Sequence, residues 1–232
     1  MALPKFLLRP HGVGAPLNVY MFTPRSLARH VKTLLFERKY FAAQLRVMAY
    51  QIRHPGAPWL TASAVHVLDR YLNKSMVGLE WGSGKSTIWF ARRLRMLVSV
   101  EHDASWHARI SRDLKRLGLS NVDYRLASAQ STANPYVGIV TEFPDEHFDF
   151  VLVDGERRSE CLEAAIPKLK PGGLLVLDNA DQNHFVAALR GLEHRSTHNG
   201  VWRTDLFFKP QTDGERAAQA GTNSQGHSLA AL

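Results

Sequence analysis

Leu27, Val31, Leu34, Phe41, Leu45, Met48 and Ile52 recur at steps of three, four or seven. That spacing puts them on one face of an α-helix. Thr23 and Pro24 ahead of them supply an N-cap and a first-turn proline, so a long amphipathic helix, broken at most once, is expected from there. The segment HPGAPW at 54–59 has two prolines and a glycine and must end it. Thr61 then caps a shorter helix through Leu72.

From Val77 onward the texture changes to short, continuous apolar runs alternating with helical patterns. That is the sign of βαβ units and a parallel sheet covered by helices on both faces. Strands are expected at about Val77 to Trp81, Leu97 to Glu101, Val122 to Leu126, Phe148 to Asp154, Leu174 to Asn179 and Leu206 to Lys209. Helices are expected to begin near Lys85, Asp103, Arg158 and Gln182, the second closing at Gly118. Residues 1–76 thus read as a helical extension, 77–210 as the core domain, and 211–232, which lack an apolar stripe, as a disordered tail. No internal repeat is visible, which excludes solenoids and propellers.

Composition adds little to the class and more to the partners. The 232 residues are 45% apolar and 22% charged, ordinary for a globular protein. No apolar run approaches the roughly 18 residues of a membrane span, and prolines break MALPKFLLRP before a signal-peptide core can form. The single cysteine, Cys161, allows no internal disulfide, and the chain is expected to be cytoplasmic. The net charge of +8 is uneven: residues 1–79 hold 11 Lys or Arg against Glu37 and Asp69, a sum of +9, leaving −1 for the remainder. A basic front can attract an anionic partner, nucleic acid or a membrane surface, or simply be a solvated helix face.

The segment GLEWGSGKST at 78–87 runs from a strand through a glycine turn straight into a helix. Glycines there let the backbone approach a ligand, and the helix start offers free amide groups. Gly84, Lys85 and Ser86 fit the end of a phosphate-binding P-loop, but its leading glycine falls on Leu79. The dinucleotide pattern G-x-G-x-x-G is met at Gly82 and Gly84 and fails at Thr87. A third pattern places an acid before the glycines and a second acid at the end of the next strand, as Glu80 and Glu101 do, 21 residues apart. An acid about 20 residues on can take the ribose hydroxyls of an adenosine cofactor. Asp103 reads as the cap of the following helix.

With LEWGSG, VSVEHD, FDFVLVDG and LKPGGLLVLDN in this order, residues 77–210 resemble the class I, Rossmann-like S-adenosylmethionine-dependent methyltransferases. The resemblance implies a doubly wound α/β fold with a seven-stranded, mostly parallel sheet, the antiparallel strand near the edge being TDLFFKP. It implies Glu80, Gly82, Ser83 and Gly84 against the methionine part of the cofactor and Glu101 on the ribose. His102 would flank the adenine, Ser128 and Gln130 of LASAQ would lie at its edge, and Asp154 would border the cofactor.

Asp154, Asp178 and Asn179, at the ends of neighbouring strands, resemble the metal ligands of cation-dependent O-methyltransferases and suit Mg2+. Those enzymes commonly carry a lysine base three residues after the first aspartate, where this chain has Arg157, which cannot take a proton at neutral pH. The catalytic candidates are therefore Asp154 and His184. Arg157 and Arg158 would bind an acidic substrate or be solvated. The five tryptophans read as core, with Trp59 as a candidate lid. O-methyl transfer to an unidentified acceptor is the expected activity. Two other classes stay open: a P-loop-like ATP-dependent phosphotransferase, with Asp178 as its magnesium aspartate, and a non-catalytic adaptor acting through the basic front. The first helix could also pack on a second copy in a homo-oligomer.

Overall fold

A computed structural model of the chain describes residues 38–130, 134–180 and 187–211. Helix α1, Arg38–Arg53, is followed by α2, Ala62–Tyr71, whose N-cap Thr61 accepts from the Ala64 amide. Then come β1 (Val77–Trp81), α3 (Lys85–Ala91), β2 (Met96–Glu101), α4 (Ala104–Arg116) and β3 (Val122–Leu126). A short helix α5 (Pro135–Gly138) leads to β4 (Phe148–Val153), α6 (Arg158–Lys168), β5 (Leu169–Asp178), β6 (Glu193–His198) and β7 (Arg203–Phe208). No helix among the described residues is long and apolar enough to cross a membrane. The stretch of the first helix before Arg38, the helix expected at Gln182 and the tail beyond Gln211 lie outside the described residues.

The seven strands form one sheet in the order β3-β2-β1-β4-β5-β7-β6. Pairing is parallel from β3 across to β5 and antiparallel on both sides of β7, so β7 alone runs against the rest. Strand alternation divides the core between two faces. Leu79, Trp81, Val100, Val151, Val153 and Leu177 pack towards α5 and α6, and Leu97, Phe150, Leu152, Leu174 and Val176 towards α2 and α3. All five residues of β1 are buried, as a strand covered on both faces requires.

Besides the short helix α5, where no helix was expected, two elements differ from the sequence expectation. β6, Glu193–His198, has the sequence EHRSTH with almost every residue exposed; it is a polar edge strand and carries no apolar run to reveal it. β5 begins five residues before Leu174, because LKPGG, which reads as a turn, pairs onward: Gly172 donates to the Lys209 carbonyl and Lys209 to that of Gly173, both at 2.9 Å.

Candidate functional site at the switch of strand order

Chain connections run outward from β1 towards β3 on one side and through β4 and β5 on the other. Such a reversal opens a crevice at the carboxyl ends of β1 and β4, where open α/β sheets take ligands. Its walls are the turn Gly82-Ser83-Gly84 after β1 and Asp154-Gly155 after β4. They touch closely: Gly82 has φ 88°, and a Cβ there would lie 2.8 Å from the Gly155 amide nitrogen. A Cβ at Gly155 would fall 1.9 Å from the hydroxyl of Tyr136, itself fully buried. Gly84 differs. It is extended, with nothing within 4 Å of a would-be Cβ, so neither its conformation nor its neighbours demand glycine, and the space above it is open.

Glu80 points from β1 towards α3 and is fully buried. Its Oε2 accepts from the Thr87 hydroxyl at 2.7 Å and the Ser99 hydroxyl at 2.8 Å, and Thr87 in turn accepts from the Gly84 amide at 2.9 Å. Oε1 is buried with no hydrogen-bond partner among the described residues. Burial pushes this carboxyl up to about 7; the Thr87 and Ser99 hydroxyls on Oε2, with Ser86 nearby, oppose the shift, and the Asp154 charge adds to it.

Glu101 closes β2 at 3% exposure. Oε2 accepts from the Ser83 amide at 3.1 Å and the Ser83 hydroxyl at 2.6 Å, while Oε1 accepts from the His102 and Asp103 amides at 2.8 and 3.0 Å. The chain's own donors satisfy the carboxylate, as a buried charge requires. The Ser83 hydroxyl also meets that of Tyr124 at 2.7 Å, and its carbonyl accepts from the Trp106 indole at 2.9 Å, which fixes the turn from three sides. His102 lies 3.1 Å from Glu101 and edge-on to Tyr136. Asp103 caps α4 as expected, accepting from the Trp106 amide. Ser128 is exposed on the loop after β3, where Ala127 is tied to the Glu101 carbonyl.

On the β4–β5 side the occupant of the strand ends is Arg158, with a side chain only 10% exposed. Its guanidinium donates to the carbonyls of Gly155, Asp154 and Asp178 and lies 3.4 Å from the Asp154 carboxylate. The Asp178 carboxylate, fully buried, accepts from Thr204 on β7 at 2.7 Å. Asn179 sits in the left-handed region at φ 48°, and its Oδ1 has no partner among the described residues.

These contacts correct the metal assignment. A permanent cation already lies between the ends of β4 and β5, and Asp178 points into the protein, so Asp154, Asp178 and Asn179 do not fit a Mg2+ shell. Among the described residues no group of three His, Cys, Asp or Glu is placed to hold a metal. The same burial removes Asp178 as a nucleotide-magnesium ligand, and the three-residue turn is too short to wrap a triphosphate. Arg158 is neither solvated nor free for substrate, while Arg157 pairs with Glu160 at 2.5 Å. Trp81, Trp89 and Trp202 are core, and Trp59 packs beside Trp202 at 6.3 Å. His184 lies outside the described residues.

Sequence reasoning missed Arg158 as a clamp and Tyr136 altogether. The i to i+4 spacing of Asp154 and Arg158 was the available signal for the first, and nothing marked the second.

Residues 79–180 match the sequence profile of a family described as "Methyltransferase domain". No curated protein sequence matches the chain. Among solved structures, precorrin 8W decarboxylase from Methanobacterium thermoautotrophicum is similar, with 21% identity and a TM-score of 0.51 over 67% of this chain and 94% of that one. An rRNA methylase from Streptococcus thermophilus is similar at 13% identity and a TM-score of 0.51, over 63% of this chain and 93% of that one. Sheet order and profile agree: residues 79–180 match a methyltransferase domain, and the seven-stranded sheet has the Rossmann-like fold of these structures.

Proposed function

We propose that the chain binds S-adenosylmethionine in the switch-point crevice and transfers its methyl group to a hydroxyl oxygen of an acceptor. The observation that carries this is Glu80: a fully buried carboxyl with one oxygen saturated and the other without a donor, beneath a turn that is open over Gly84. A buried polar atom left unpaired costs about 1–3 kcal/mol, which an ammonium group of the kind a methionine moiety carries would offset. Glu101, at the end of the next strand, is the counterpart for the ribose, whose hydroxyls would replace the Ser83 hydroxyl at Oε2. His102, with Ser128 on the neighbouring loop, would border the adenine.

Bound S-adenosylmethionine supplies a methyl group activated by its sulfonium. In-line displacement then asks the protein chiefly for placement and exclusion of water. The contact of Gly82 with Gly155 keeps the cofactor turn against β4, and Asp154, 8% exposed and 3.4 Å from Arg158, would then border the acceptor hydroxyl. Asp154 is the described group suited to accept that hydroxyl's hydrogen bond.

Calorimetric titration with S-adenosylhomocysteine tests the assignment. Folded wild-type protein should bind, and Glu101→Ala should weaken binding by roughly 10- to 100-fold, the worth of hydrogen bonds to a charged group. Lys85→Ala should change little. Absence of binding, or ATP-dependent thermal stabilisation that vanishes with Lys85, would overturn the assignment.

A further inference from the structure

A cavity of about 410 Å3 lies between α1, the approach to α2 and the turn joining β6 to β7. That volume falls in the range of small-molecule pockets. The cavity belongs to the same rim of the sheet as the cofactor crevice. β6 ends at His198 and β7 starts opposite Asp178, and the Thr61 amide donates to the Thr204 hydroxyl at 3.2 Å, which itself donates to Asp178. Two contacts hold its walls. Gly200, at φ 89°, brings the hairpin turn against Ala43 of α1, where a Cβ would stand 2.5 Å from that of Ala43. Thr61 and Thr197 hydroxyls meet at 2.5 Å on the other side.

Its lining is chemically specific. Val47 and Leu60 offer apolar surface, and Tyr50, Thr61, Ser63 and His198 offer polar groups. Gln51 is only 1% exposed, yet its Oε1 has no hydrogen-bond partner among the described residues. An interior amide oxygen without a partner is rare in folded proteins and marks a place where a donor is due. Arg46, on the same helix and one and a half turns back, has no carboxylate partner among the described residues. A donor for Gln51 is thus called for inside the cavity, and Arg46, exposed on its rim, can hold an anion there.

We propose that this cavity is the acceptor subsite and takes a small hydroxylated anion, its carboxylate or phosphate on Arg46 and a hydroxyl on Gln51. The inference rests on the methyl-transfer reading and adds to it the class of acceptor. It also gives α1 a role: the helix supplies the groups that select the substrate, beside the sheet rim where the cofactor would bind.

The full chain, incubated with methyl-labelled S-adenosylmethionine and the macromolecule-free ultrafiltrate of a cell extract, should place label in products retained by an anion-exchange resin. Arg46→Ala should cut that label at least about tenfold while S-adenosylhomocysteine binding stays as in the wild type. Gln51→Leu should cut it comparably yet keep or raise the melting temperature, since an apolar group of similar shape replaces an unpaired buried amide; a residue with only a structural role would not separate the two readouts. Label confined to neutral products, or labelling by either variant equal to that of the wild type, would overturn the proposal. Failure of the wild type to bind S-adenosylhomocysteine would remove the cofactor reading itself. Binding without labelled small anions would remove the acceptor class alone.

Discussion

At Glu80 burial and hydrogen bonding pull in opposite directions, and burial wins, raising the carboxyl from 4.5 to about 7. A carboxyl held higher in the folded than in the unfolded state makes the fold bind the extra proton, so stability is greatest below about pH 4.5 and falls as pH rises through 7. Thermal melts should show that decline in the wild type and lack it in Glu80→Gln. Ligand binding should run the other way, because a cationic group prefers the ionised form: affinity for S-adenosylhomocysteine should rise roughly tenfold per pH unit approaching 7 from below, and flatten in Glu80→Gln. The positions of Glu80 and Glu101 were legible in the sequence, since each closes a continuous apolar run. Their partners were not. Ser99, two residues before Glu101 on the neighbouring strand, meets Glu80 only because β1 and β2 pair in the register Glu80 to Ser99. Nor was Arg158 legible as the occupant of the β4–β5 ends, because an arginine at a helix start reads as solvated until the carbonyls around it are placed.

Between elements, the closest fits are made by glycines. Gly155→Ala would press a methyl on the Tyr136 hydroxyl in a fully packed place, and overpacking of this kind costs about 1–3 kcal/mol. A drop in melting temperature of several degrees is expected. Tyr136→Phe removes the obstructing atom, so the double variant should recover most of the loss; no recovery would mean that the strain lies instead in the contact with Gly82. Gly200→Ala combines a left-handed φ with a clash against Ala43 and should loosen α1 from the β6–β7 turn, visible as faster amide exchange in Arg38–Arg53. Strands buried on both faces announced themselves as unbroken apolar runs, as β1 and β4 do. The edge strand β6, polar throughout, is held by pairing with β7 rather than by burial, and pairing leaves no trace in local composition.

Across the whole molecule, strand order does what no single motif can. Placing β1 and β4 side by side brings Glu80, Glu101 and Asp154, distant in sequence, to one rim, and setting β7 beside β5 extends that rim to the cavity under α1. The family resemblance implied the doubly wound sheet, because the motifs occur in order, but the cavity depends on α1 meeting a hairpin turn some 150 residues away, a contact without any periodic signature. The central claim is that the rim holds an adenosyl cofactor over the glycine turn. A crystal structure with S-adenosylhomocysteine bound tests it most directly. The ligand's amino group should lie within hydrogen-bonding distance of Glu80 Oε1, with the chain passing over Gly84 and the ribose hydroxyls on Glu101 Oε2 in place of the Ser83 hydroxyl. A ligand seated elsewhere, with Glu80 still unpaired and Ser83 still bonded to Glu101, would contradict it.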